Sequence, residues 1–119
     1  MITNFEEITS ELTPAEKRLL EILVEGFLTH HKNNPVKAPY IVKTLNFRQK
    51  ELGLEFKLTQ VRLRKMVNFI RCNAIVPLIG TSNGYYVSYN KEEVVKQIQS
   101  LNERASSIMN AANGLNKFV

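Results

Sequence analysis

Between Thr59 and Asn73 the chain reads TQVRLRKMVNFIRCN, a stretch that concentrates the side chains best suited to holding a polyanion. At 100° per residue, Met66, Val67 and Ile70 fall beside Leu63, with Thr59 near the start. The opposite side gathers Val61, Lys65, Asn68 and Cys72, flanked by Arg62, Arg64 and Phe69. Guanidinium groups grip phosphate or guanine in bidentate fashion, and a carboxamide pairs with an adenine edge. A helix that is apolar on one flank and basic, with an amide, on the other suits a major groove. A basic face that simply meets water has the same pattern, so the surrounding elements have to separate the two.

Other residues with chemical potential lead nowhere comparable. His30 and His31 have no nearby cysteine or carboxylate set to complete a metal site, and both fall where cations suit a helix C-terminus. Cys72 has no evident base, and as the one cysteine it makes no internal disulfide, which fits a reducing cytoplasm. TSNG is too short to cradle a phosphate, and no P-loop or dinucleotide fingerprint occurs. The expectation is a protein that is not an enzyme, with no cofactor, no metal and no small-molecule substrate. No apolar stretch approaches bilayer length, and Met1 precedes a mixed polar segment and not a leader peptide.

The elements that must position the basic stretch are legible in the rest of the 119 residues, enough for one modest core. Residues 1–12 give weak signals, compatible with a short helix or a partly ordered arm. Thr13, Pro14 and Glu16 form a capping box, and Leu19, Leu20, Leu23, Val24 and Phe27 make an apolar stripe expected to run to about His30. HKNNP breaks this helix, and Val36 and Lys37 are compatible with a very short strand. Pro39 opens a second helix, with Ile41, Leu45 and Leu52 on one side and Gly53 as its stop. Thr59 caps the third, basic helix. Asn83-Gly84 then marks a hairpin with those two residues as its loop, pairing Ser82 with Tyr85 and Leu78 with Tyr89. That register places Val76, Leu78, Tyr85, Val87 and Tyr89 on the core face, and Thr81, Tyr86 and Ser88 on the other.

Asn90 caps a final helix expected to reach Asn113 and stop at Gly114. Val94, Ile98, Leu101, Ala105, Ile108 and Ala112 follow a 4-3 alternation along it, the pattern of a seam against a partner helix. Packing back on its own domain is the alternative; a length of about 35 Å favours a homodimer.

Charge is segregated along the chain. Residues 1–28 hold six acidic and two basic side chains, whereas residues 29–74 hold ten basic against only Glu51 and Glu55. Concentrated positive charge in the middle third fits a polyanionic partner, or a solvated basic face.

The run VRLRKMVNFIRCNAIVPLIGTSNGYYV resembles the third helix and wing of winged helix-turn-helix domains, especially the small winged-helix proteins of bacteria and their phages. LRKMVNFIR, Ala74 and Gly84-Tyr85-Tyr86 carry the likeness, which covers roughly residues 13 to 90. It implies a mainly α fold with a small β-hairpin wing, in the order helix, short strand, helix, helix, hairpin, followed by the long C-terminal helix. Residues 13–90 are then the winged-helix domain, with 1–12 an arm before it; 91–119 is the C-terminal helix, whose 4-3 spacing fits a dimerisation element. The resemblance also implies that the third helix enters the major groove of duplex DNA while the hairpin lies over adjacent backbone or the minor groove. Gln60, Arg62, Arg64, Lys65 and Asn68 become the expected contacts, with Thr81, Ser82 and Asn83 at the wing tip. A regulator of transcription or of phage replication is the implied task. An assembly module acting through its last helix without DNA is the other reading. Two departures from the pattern are the long LGLEFK connection and a wing tip without lysine or arginine.

Overall fold

Thr13 begins the first helix as its side chain suggests: its oxygen accepts from the Glu16 N–H at 3.1 Å, and its own N–H donates to Glu16 Oε1 at 2.9 Å. In the computed structural model of the protein, which describes residues 8–119, this helix is α1 (Pro14–Phe27). It ends three residues short of His30. Beyond it the chain turns on itself, with the Thr29 hydroxyl donating to Gly26 O and His30 Nδ1 donating to Asn34 O. Leu19, Leu23 and Phe27 are buried, and Leu20 and Val24 pack partly against them.

The second helix divides. Where one helix from Pro39 to Gly53 is expected, α2 (Ala38–Phe47) and the single-turn α3 (Gln49–Leu52) flank a break at Arg48, whose φ of −92° and ψ of 18° leave the helical region. Gly53 is the expected stop, at φ +65°. The long connection that follows is pinned by Asn46. Its carboxamide donates to Leu58 O and accepts from Leu58 N–H, both at 2.8 Å. Thr59 then caps α4 (Gln60–Cys72) by accepting from Arg62 N–H at 3.1 Å.

The end of α4 carries a strained residue. Ile75 N–H reaches back to Ile70 O and Ala74 N–H to Arg71 O, the paired bonds of a Schellman cap, which put Ala74 at φ +51°. Glycine takes this conformation without a Cβ penalty. Ala74→Gly is therefore expected to stabilise the fold by about 1 kcal/mol, read as a higher urea midpoint at unchanged slope.

The hairpin forms with a shifted register. Strands β1 (Leu78–Thr81) and β2 (Gly84–Val87) pair Leu78 with Val87, Ile79 with Tyr86 and Thr81 with Gly84, leaving Ser82-Asn83 as the loop. The Asn-Gly signal predicts Asn83-Gly84 as the loop, one residue later. Gly84 is used differently: at φ +124° it lies so close to Val36 that a Cβ would sit 2.5 Å from Val36 O. Val36 supplies the short extended segment seen in the sequence, with Val36 N–H donating to Tyr85 O and Tyr85 N–H to Val36 O. This third backbone fixes the register and overrides the local turn preference. Tyr89, expected in the core, is accordingly 77% exposed, while Tyr86 is buried. Phe27 and Tyr85 meet edge to face with centroids 5.7 Å apart, closing the core between α1 and the hairpin.

The chain divides into two compact units between Ser88 and Tyr89. The second is built on α5 (Lys91–Leu115), capped by the Asn90 side chain accepting from Glu93 N–H at 3.1 Å. Gly114, expected as its stop, stays within the helix, which ends at Leu115 and passes into a short 3₁₀ turn, Asn116–Phe118. Residues 1–7 of the expected arm lie outside the described residues. Among the described residues no helix is long and apolar enough to cross a membrane.

Candidate nucleic-acid interface

Leu63, Met66, Val67 and Ile70 bury the inner face of α4, as their spacing requires. The outer face is narrower than the sequence suggests. Lys65, expected to point outward, is buried, with Nζ 2.7 Å from Glu16 Oε1. Arg62 is drawn the same way, with Nε 3.3 Å from Glu16 Oε2 and its guanidinium carbon 3.9 Å from the centre of the Phe56 ring. One fully buried carboxylate on α1 thus takes up two of the five expected contacts. The physical reason is that α1 packs against the flank of α4 holding residues 62 and 65 and places its capping-box glutamate there. Burial alone pushes the Glu16 carboxyl upward. The Lys65 hydrogen bond, the Thr13 backbone N–H and the Lys65 charge outweigh it and hold the group below its ordinary value.

What remains open on α4 is a narrow strip that ends at exposed Cys72 and is bordered by half-buried Val61. Gln60 and Arg64 are exposed and Asn68 is half-buried, each one turn after the last. Arg64 makes no ion pair among the described residues. Arg71, at the C-terminal end of the strip, donates from Nε to Leu78 O at 3.0 Å and ties the helix to the hairpin. Asn68 borders a groove whose other wall is the stretch Ile8 to Leu12, and it accepts from Cys72 Sγ at 3.7 Å. At the hairpin tip Thr81, Ser82 and Asn83 are exposed. The Thr81 hydroxyl is engaged within the loop, donating to Gly84 O and accepting from Asn83 N–H.

The second unit presents a different surface. Val94 is half-buried, but every residue from 98 to 115 is exposed, including Ile98, Leu101, Ala105, Ile108 and Ala112. Leu115 extends the same alternation by a further step. Ile108, in the middle of this alternation, is 68% exposed.

Two residues central to this geometry escape sequence reading. Glu16 is visible there as a cap, but nothing links it to Lys65, 49 positions away. Asn46 has no local signature at all. His30 and His31 stand in the turn after α1, and among the described residues no three histidine, cysteine or carboxylate groups converge. No protein-family model matches the chain, and no curated protein or solved structure matches it.

Proposed function

We propose that residues 13–90 form a winged helix-turn-helix domain that binds duplex DNA through the open strip of α4. The observation that supports this reading most directly is Arg64. It is an exposed guanidinium, free of ion pairs among the described residues, and it is flanked one turn away on each side by the amides of Gln60 and Asn68. Residues in the N-terminal half of a recognition helix are those that reach base edges. The order of helix, Val36 bridge, helices and hairpin agrees with that fold, and Arg71 holds hairpin and helix together. Lys65 and Arg62 serve the fold and not the ligand. A regulator of transcription or phage replication remains the corresponding role.

Arg64→Ala is expected to weaken duplex binding about 5- to 150-fold, the worth of one bidentate contact, while the melting temperature stays within a degree or two. Anisotropy titrations of labelled duplexes selected from a random pool measure this. Equal affinity of Arg64→Ala and wild type on the selected sites defeats the reading.

The exposed alternation on α5 favours a second property, self-association. Ile98, Leu101, Ile108 and Leu115 from two copies, buried from their present exposure, contribute on the order of 10 kcal/mol, against an association cost of about 4–15 kcal/mol. The balance predicts a reversible dimer whose population rises with concentration. Ile108→Glu is expected to hold the protein monomeric in light scattering over the range where wild type dimerises. A wild type that is monomeric at every accessible concentration rules the dimer out.

A further inference from the structure

The exposed positive charge of the middle third does not sit mainly on α4. Lys65 is buried, Arg62 is held by Glu16, and Arg71 is tied to Leu78, which leaves Arg64. By contrast Lys37, Lys43, Lys50 and Lys57 are all exposed, on α2 and the segments around it, and make no ion pair among the described residues. The two acidic residues nearby are neutralised, Glu51 by Arg48 at 3.0 Å and Glu55 by Arg18. The local field is therefore strongly positive.

Two large aromatic rings stand in that field. Tyr40 and Phe47 lie seven residues apart on α2, with Lys43 between them, so the three share one stripe on the side opposite buried Ile41 and Leu45. Phe47 is 90% exposed and Tyr40 is 62% exposed. Their separation along the helix is about 10 Å, close to three stacked nucleotides at ~3.4 Å each. A protein partner fits this chemistry poorly, because lysine is depleted from protein–protein interfaces. Aromatic faces interleaved with cations are what a base-stacking surface needs: every base has a π-face, and the phosphates between bases need counter-charge.

We propose that the outer stripe of α2 is a platform for single-stranded nucleic acid. Tyr40 and Phe47 each stack one base, and Lys43 pairs with the phosphates between them. The site is separate from the α4 strip and does not depend on the duplex reading.

Anisotropy titrations with labelled dT20 and rU20 at about 50 mM salt test it, with the two sugars distinguishing DNA from RNA. Tyr40→Ala and Phe47→Ala are each expected to weaken binding about 5- to 100-fold while leaving the melting temperature unchanged, since both side chains are exposed. Phe47→Trp is expected to keep the affinity. Phe47→Leu, equally apolar but without a π-face, is expected to lose it. Lys43→Gln is expected to flatten the salt dependence of log K by about 0.7. Three results overturn the proposal. One is failure of wild type to bind either oligonucleotide, the second is Phe47→Leu binding as tightly as wild type, and the third is an equal loss of duplex and single-strand affinity in the aromatic variants. Self-association abolished by Phe47→Ala, with no oligonucleotide bound, assigns the stripe to a protein partner instead.

Discussion

Glu16→Ala is expected to lower the stability of the protein by about 3–5 kcal/mol, the typical cost of removing one partner from a buried ion pair. The substitution leaves the Lys65 ammonium buried with no counter-charge, at the spot where Glu16 Oε1 now lies 2.7 Å away. It also dissolves the capping box, because Thr13 N–H loses its acceptor. A fall in melting temperature on the order of 10–20 °C follows for a chain of this size. Replacing Glu16 with leucine and Lys65 with methionine together is expected to recover much of the loss, since an apolar pair does not strand a charge. Urea titrations of the two single variants and the double variant measure the coupling. A Glu16→Ala protein within 1 kcal/mol of wild type contradicts the geometry described for this pair.

The same contact makes the fold acid-sensitive. The folded pKa of Glu16 is lowered from the ordinary 4.5, so the unfolded chain binds the proton more readily. The stabilisation is fully present above that value and is lost as the pH falls through the lower folded value.

Gly84→Ala carries the other large effect, again about 3–5 kcal/mol, from a strained φ and a backbone collision acting together. The added Cβ would stand 2.5 Å from Val36 O, 2.6 Å from its carbonyl carbon and 3.0 Å from Lys37 N. None of these is the flexible end of a side chain. Relief requires the hairpin to part from Val36, and with it the 2.9 Å and 2.7 Å hydrogen bonds that join Val36 to Tyr85. Had Gly84 occupied an open turn, the cost of alanine would be about 1 kcal/mol. Amide exchange at Val36 and Tyr85, compared between Gly84→Ala and wild type, separates the two cases. Unchanged protection at both amides would falsify the account of Gly84 as a close-approach site.

How far the chain could be read in advance tracks the range of the forces involved. Thr13, Thr59 and Asn90 cap the helices their side chains announce, because capping involves only the next three residues. The apolar spacing of Leu63, Met66, Val67 and Ile70 likewise names the buried face of α4. Errors enter where distant backbone intervenes. Asn83-Gly84 is a sound turn signal taken alone, and only the approach of Val36, 48 positions earlier, moves the loop by one residue. For α4 the helical wheel names the buried side, but on its outer side Lys65 is buried and only Arg64 and Cys72 of the residues placed there are fully exposed. The wheel does not show that α1 packs along the flank where Glu16 takes up Lys65 and Arg62, two of the expected DNA contacts. Arg64 is exposed on the flank where the wheel puts it.

The burial of Lys65 reshapes how binding experiments on this protein have to be designed. A charge-deletion scan that pools positions 62, 64 and 65 removes one surface cation and two struts of the scaffold at once. Loss of complex formation in such a triple variant reports denaturation as readily as it reports a missing contact. Within that cluster only position 64 gives a clean phenotype, and a charge-reversed neighbour is best judged by its circular dichroism before its affinity.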